Sequence, residues 1–241
     1  MTVSASILQT ADATAEGFAH VRDWVFDLDN TLYPRHSNLF SQIDERMTLF
    51  VSQFLQLDAE EARALQKRLY REHGTTLRGL MREHAVDPDT FLQFVHDIDY
   101  TWIAPDLALG EEVRALPGRK FIFTNGDRRH AERAARQLGI LNHFEDIFDI
   151  VAADLLPKPA AETYDKFMGL HRIDASRAAM FEDLARNLEV PKRLGMRTVL
   201  VVPRNLETTF GDAWEHEGRD GEHIDYITDD LATFLRRVRP A

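Results

Sequence analysis

Apolar positions along the chain follow two rhythms. Short apolar runs bounded by acidic or glycine-containing turns predict buried strands at Val21 to Leu28 (VRDWVFDL), Lys120 to Thr124 (KFIFT), Glu145 to Asp154 (EDIFDIVAAD), Arg177 to Asp183 (RAAMFED), Thr198 to Pro203 (TVLVVP) and Ile224 to Thr228 (IDYIT). Helical spacing lies between them: Arg128 to Leu138 stopped by Gly139, a stretch near Ala161 to Gly169, another near Arg186 to Leu194 ended by Gly195, and the closing DLATFLRRV. Strands alternating with helices predict an α/β fold whose mostly parallel sheet is covered on both faces. Ligands of such sheets bind beyond the carboxyl ends of the strands, where strand order reverses.

The alternation is interrupted once, by roughly 90 residues between the first two strands. Within that gap Leu39, Phe40, Ile43, Met47, Phe50, Val51, Phe54 and Leu55 form a helical stripe, and EEARALQKRLYREHG follows with few β-branched residues. A helical insert over 35–116 is expected, its Phe, Leu and Met residues serving as internal core and its histidines as surface or packing groups. The rest, 17–34 and 117–241, is expected to form one core, with 1–16 as a loose tail. Gly211 to Asp225 (GDAWEHEGRDGEHID) reads as a polar surface loop with solvated acids.

Composition narrows the chemistry. The 241 residues carry 29 Lys+Arg against 40 Asp+Glu, a formal charge of −11. No broad electrostatic footprint for a nucleic-acid polymer is therefore expected, and an anionic ligand needs a local cationic site. Cysteine is absent, which removes disulfides, thiolate metal sites and cysteine nucleophiles. No stretch approaches the ~18 apolar residues of a spanning helix and the first residues lack a basic start. The expectation is a soluble cytoplasmic protein with no membrane partner.

Four strand ends carry polar groups. The first reads Asp27-Leu28-Asp29-Asn30-Thr31; alone, this is ordinary turn and helix-cap material. The second ends in Thr124, Asn125 and Gly126, a hydroxyl and two amides before a helix, suited to an anion. Lys158 stands between Pro157 and Pro159, and the fourth end reads Glu182-Asp183 with Asn187 four residues on. Arg128, Arg129 and Arg186 lie near these ends and are read as helix-surface charges.

Taken in chain order, DxDNT, an apolar run ending TN, KP and ED-x3-N match the four motifs of the haloacid dehalogenase (HAD) superfamily of phosphohydrolases, which this sequence strongly resembles. FDLDNTLYP, HGTTLRGLMREHAVDP, FTNGDRRHAER and FEDLARN further resemble the pyrimidine 5′-nucleotidase branch, over about Val25 to Val202. The resemblance implies a HAD-like Rossmannoid three-layer core and makes the insert an α-helical C1 cap.

It also implies a mechanism. Asp27 attacks phosphorus to form an aspartyl-phosphate, splitting a very slow displacement into two easier ones. Asp29 protonates the leaving alcohol and later takes a proton from water; the dehalogenases of the superfamily lack this second acid. Two carboxylates at ~4 Å repel by roughly 4 kcal/mol at an effective dielectric of 20, so Asp27 and Asp183 call for a cation. Mg²⁺ suits, with Asp27, Asp183 and the Asp29 carbonyl as ligands. Lys158 neutralises Asp27 and a phosphate oxygen, while Thr124, Asn125 and Gly126 hold the others. Glu182 is assigned behind the metal ligands, and Asn187 is expected to orient Asp183 or a water.

The substrate implied is a small phosphate ester, foremost UMP- or CMP-like mononucleotides. The alternatives are a broad phosphatase of sugar phosphates or phosphoglycolate, a phosphosugar mutase, and a ligand-binding module without turnover. Tyr33, Asn38 and Thr75 to Arg78 are candidate substrate contacts, and Pro34 and Pro117 are candidate hinges.

Overall fold

The computed structural model describes residues 13–204 and 217–239. The first element is a single helical turn, α1 (Ala15–Phe18), followed by β1 (Asp23–Phe26). Four helices come next, α2 (Leu39–Leu55), α3 (Ala59–His73), α4 (Thr76–His84) and α5 (Pro88–Val95), then α6 (Leu107–Ala115). The chain then alternates: β2 (Arg119–Phe123), α7 (Arg128–Leu138), β3 (Asp146–Phe148), α8 (Ala161–His171), β4 (Ala178–Glu182), α9 (Glu189–Leu194), β5 (Arg197–Val201), β6 (Tyr226–Thr228) and α10 (Leu231–Val238).

The six described strands form one sheet, all parallel, in the order β3-β2-β1-β4-β5-β6. Neighbouring side chains on a strand point to opposite faces, and β1 shows the consequence: Trp24 and Phe26 enter one apolar cluster and Val25 the other. The first cluster includes residues of α1, α6, α7 and α10; the second includes residues of α8 and α9. Both faces are thus covered, the arrangement a parallel sheet requires. Phe26 and Phe181 stack across β1 and β4 with ring centroids 4.6 Å apart, and every β1 side chain is buried. Strand order reverses around β1 and β4, so Asp27 and Glu182-Asp183 emerge at the switch point.

Several element boundaries depart from the sequence expectation for identifiable reasons. The run Glu145 to Asp154 is a strand only over Asp146–Phe148; Asp149 ends it by accepting from the backbone N–H groups of Arg128 and Ala152. The helix expected from Arg186 begins as a 3-10 turn, Ala185–Leu188, before α9. Phe54, assigned to the buried stripe of α2, is 48% exposed and stacks on Phe50, while Leu55 beside it packs against the core. Helix α6 falls inside the expected insert of 35–116 but packs on α10, where Glu112 accepts from Arg236 at 2.8 Å and pairs with Arg239 at 3.0 Å.

At the N-terminus, residues 1–12 of the expected tail lie outside the described residues, whereas Phe18 of α1 is buried against Trp24 and Phe234. Of the expected polar loop, 211–216 lies outside as well. Asp225 corrects the expectation of solvated acids: it accepts from Lys192 and from the backbone N–H of Thr198, tying the loop to β5. No helix among the described residues is long and apolar enough to cross a membrane.

Candidate active site

The turn after β1 is built by its own residues. Asp27 N–H continues the sheet pattern by donating to Phe181 O at 2.9 Å. Asn30 takes φ 61, a left-handed conformation that asparagine tolerates better than most residues, and the Thr31 and Leu32 amides both reach back to Leu28 O. Asp27 and Asp29 are thereby held on the same turn.

Lys158 is the centre of the site. Its ammonium group donates to Asp27 Oδ1 at 2.7 Å, Glu182 Oε1 at 2.8 Å and Phe123 O at 2.8 Å, using all three of its hydrogens in an almost fully buried position. The loop that carries it is clamped by the Asn125 side chain, which accepts from Lys158 N–H at 2.8 Å and donates to Lys158 O at 3.3 Å. Burial alone would drive the ammonium pKa down, but Asp27 and Glu182 outweigh it and raise it.

Asp27, Glu182 and Asp183 bring a carboxylate oxygen each to within 4.8 Å of one another. This is the meeting of residues 27 and 183 that the sequence reading requires. Burial pushes the Asp27 pKa up to about 7; Lys158 pulls it back, while Glu182 and Asp29 add to the rise. Asp183 is likewise driven well above its ordinary value by burial and by Glu182 and Asp27, although Arg35 donates to its Oδ2 at 3.2 Å. Three clustered carboxylates facing two cations leave excess negative charge. An all-oxygen donor set of this kind fits a hard divalent ion such as Mg²⁺.

Glu182 accepts from three protein donors, Lys158 and Asn187 Nδ2 at 2.6 Å on Oε1 and Leu184 N–H at 2.8 Å on Oε2. That leaves it braced behind Asp27 and Asp183. Of the two tasks expected of Asn187, orienting Asp183 is corrected, since its amide nitrogen holds Glu182; its Oδ1 is buried beside the cavity without a protein partner among the described residues.

Gly126 is a second correction. Its amide, expected to be free for an anion, donates to Thr124 Oγ1 at 2.9 Å. Arg128 is half-exposed, paired with Asp146, and Arg129 is exposed, as expected of surface charges. Arg186 departs from that reading: it reaches the insert, bonding Tyr70 Oη and lying over its ring.

Asp29 contrasts with Asp27. Burial raises its pKa, but His130 and Tyr33 more than offset this and hold the carboxyl below its ordinary value. Tyr33 donates to Asp29 Oδ1 at 2.5 Å and is fully buried, so it offers no open face for stacking. His130 Nε2 lies 2.7 Å from the same oxygen.

Sequence reading missed His130, His96 and Arg35. A signal existed for His130: it heads the buried stripe of α7 with Ala131, Ala134, Ala135 and Leu138, and a histidine on a buried face needs polar partners.

A cavity of about 140 Å³ opens from this cluster into the insert. Asp27, Asp29, Asn125, Gly126, Lys158 and Asp183 form one wall; Phe40, Ile43, Met47, Phe91, Leu92 and Val95 give the other a largely apolar character. Of the expected substrate contacts, Thr75, Thr76 and Leu77 line it. Asn38 is exposed at the start of α2, and Arg78 lies instead in a shallow pocket beside Pro157 and Pro159.

Acids and a buried lysine thus meet at the switch point of a doubly covered parallel sheet, an α/β fold of the Rossmann type. Residues 24–195 match the model of the haloacid dehalogenase-like hydrolases, and the chain belongs to that family. Phosphate metabolism protein 8 of Saccharomyces cerevisiae is 30% identical over 134 residues, 51% of this chain and 41% of the yeast protein, so the match spans less than half of that relative. Similar solved folds include L-2-haloacid dehalogenase PA0810 (TM-score 0.59, 17% identity, 90% of this chain and 99% of that one). A HAD phosphatase from Thermococcus onnurineus is also similar (TM-score 0.55, 18% identity, 91% and 100%).

Proposed function

We propose that the chain is a Mg²⁺-dependent phosphomonoesterase working through an aspartyl-phosphate on Asp27, and that its substrates are pyrimidine 5′-mononucleotides such as UMP and CMP. The observation that carries the first part is the buried Asp27 carboxylate, aimed by Lys158 and set within a few ångströms of Asp183 at the mouth of a cavity.

In this reading Asp27 attacks phosphorus, and Lys158 balances charge on the nucleophile and on a phosphate oxygen as both change during transfer. Asp29 hands a proton to the departing alkoxide and afterwards accepts one from the water that cleaves the acyl-phosphate. Asp27, Asp183 and the carbonyl of Asp29 would hold the ion, which when bound neutralises the substrate dianion among these acids. Thr124 and Asn125 remain as polar groups beside the phosphate position. Helices α2 to α5 act as the cap, and closure of their apolar wall over the cavity excludes water.

The nucleotide part rests on the branch-like motifs and on the aromatic and apolar wall of Phe40, Met47, Tyr70 and Phe91, which suits a flat base better than a polyhydroxylated sugar. A panel of phosphate esters tests it. UMP and CMP are expected to give the highest kcat/KM; turnover of phosphoglycolate or hexose phosphates with none of UMP or CMP overturns the nucleotide assignment and keeps the phosphatase one.

A further inference from the structure

Asp29 is held by a chain of groups that starts in the insert. His130 is fully buried, with Nε2 2.7 Å from Asp29 Oδ1 and Nδ1 2.9 Å from the Tyr100 hydroxyl. His96 stacks flat on it with ring centroids 4.5 Å apart, and its own Nδ1 lies 3.1 Å from Asp127 Oδ2. Asp29 Oδ1 is an acceptor whether or not Oδ2 carries a proton, so the nitrogen facing it carries the hydrogen, and the far nitrogen is engaged by Tyr100.

Tyr33 also donates to Oδ1. With two donors on that oxygen, Oδ2 is the one left to handle a proton. Oδ2 lies beside Gly126, where an added Cβ would stand 3.8 Å from it, and Asp29 and Gly126 both line the cavity.

We propose that His130 and Tyr100 are positioning residues for the acid–base group, fixing Asp29 Oδ1 so that Oδ2 meets the leaving oxygen of the ester. This rests on the phosphatase reading above and deepens it. His130 comes from core helix α7, whereas Tyr100 follows α5 at the end of the helical insert. The alignment of Asp29 therefore depends on how the insert is seated on the core. In the step concerned, the bond from Asp27 to phosphorus forms and the bond from phosphorus to the leaving oxygen breaks. The electron pair stays on that oxygen, and the proton on Asp29 Oδ2 moves to it.

A merely structural role for His130 would affect all esters alike, and the leaving group separates the two cases. Phenyl phosphate and p-nitrophenyl phosphate both present an aryl ring to the cavity, but p-nitrophenol is much the stronger acid and departs without help. The value of kcat/KM reports the first irreversible step, in which the leaving group is lost. In His130→Ala it is expected to fall at least about tenfold more for phenyl phosphate than for p-nitrophenyl phosphate, with His130→Gln, whose amide still donates, recovering part of the difference.

Tyr100→Phe, which removes one oxygen from a packed ring, is expected to shift the ratio in the same direction by less. Equal losses on both esters in His130→Ala and Tyr100→Phe, or no loss on either, overturn the proposal. Wild-type protein that cleaves neither these two esters nor any ester of the panel above with Mg²⁺ present overturns the phosphatase reading and this proposal with it.

Discussion

Two acids two residues apart are driven in opposite directions. Asp27 meets mainly burial and other carboxylates, and its pKa rises to about 7; Asp29 meets His130 and Tyr33, and its pKa falls. Transfer to Asp27 needs the reverse, an ionised Asp27 and a protonated Asp29, so binding of the cation and of the phosphate dianion has to invert this order. Replacing Asp27 by Asn is expected to lower phosphatase kcat by at least about 10³-fold while leaving the fold intact and the melting temperature at acidic pH near that of wild type, checked by ester hydrolysis and circular dichroism. The carboxyl oxygen loses its negative charge, but the packing and most of the hydrogen bonding at the strand end survive. The motif DxDNT made this pair legible in the sequence. The environment that splits the pair was not, because His130 stands 101 residues from Asp29 in the chain.

At the scale of elements, local chemistry set many of the boundaries. Asp127 caps α7 by accepting from His130 N–H at 2.7 Å and Gly139 ends it at φ 81, so the helix runs from Arg128 to Leu138 as its sequence indicates. Helix α5 has a similar start, with Pro88 in its first turn and Asp87 accepting from Thr90 N–H at 2.8 Å. Asp87→Ala is expected to destabilise the protein by about 1 kcal/mol in a urea titration without lowering kcat, since the cap lies away from the catalytic acids. Elements whose limits depend on distant partners were less legible. The strand expected to run on to Asp154 stops after Phe148, where Asp149 bonds to the start of α7. Helix α6 reads as part of the insert by its place in the chain, yet its apolar face and Glu112 belong against α10.

Across the whole molecule, the switch point of the sheet collects acids whose mutual repulsion opposes folding unless a cation joins them. With Asp27 at about 7 in the folded chain, against about 4 unfolded, the folded state binds the extra proton between those values. Metal-free stability from this group is therefore fully present below about pH 4 and is lost as pH rises through about 7, a change of order a few kcal/mol. Asp183, also raised, acts in the same direction. Thermal melts in EDTA are expected to show this decline between pH 5 and pH 8 once the other groups' baseline is taken from the Asp27→Asn variant. Mg²⁺ is expected to raise the melting temperature most at the alkaline end and to restore hydrolysis that EDTA abolishes. A Mg²⁺ effect equal at both pH values, or activity that survives chelation, contradicts the assignment of the ion to these carboxylates.

By itself the sequence determined what is local or periodic: six apolar strand runs, most helix limits, and the polar groups at four strand ends. It did so because turn chemistry and the side-chain period act over a few residues. Only the tertiary structure decided which polar groups face one another. It gave the Gly126 amide to Thr124, turned Asn187 toward Glu182, buried Tyr33 on Asp29 and brought His130 and Tyr100 behind it. A donor or acceptor removed from water must find a partner wherever packing supplies one, and spacing along the chain carries no record of that choice.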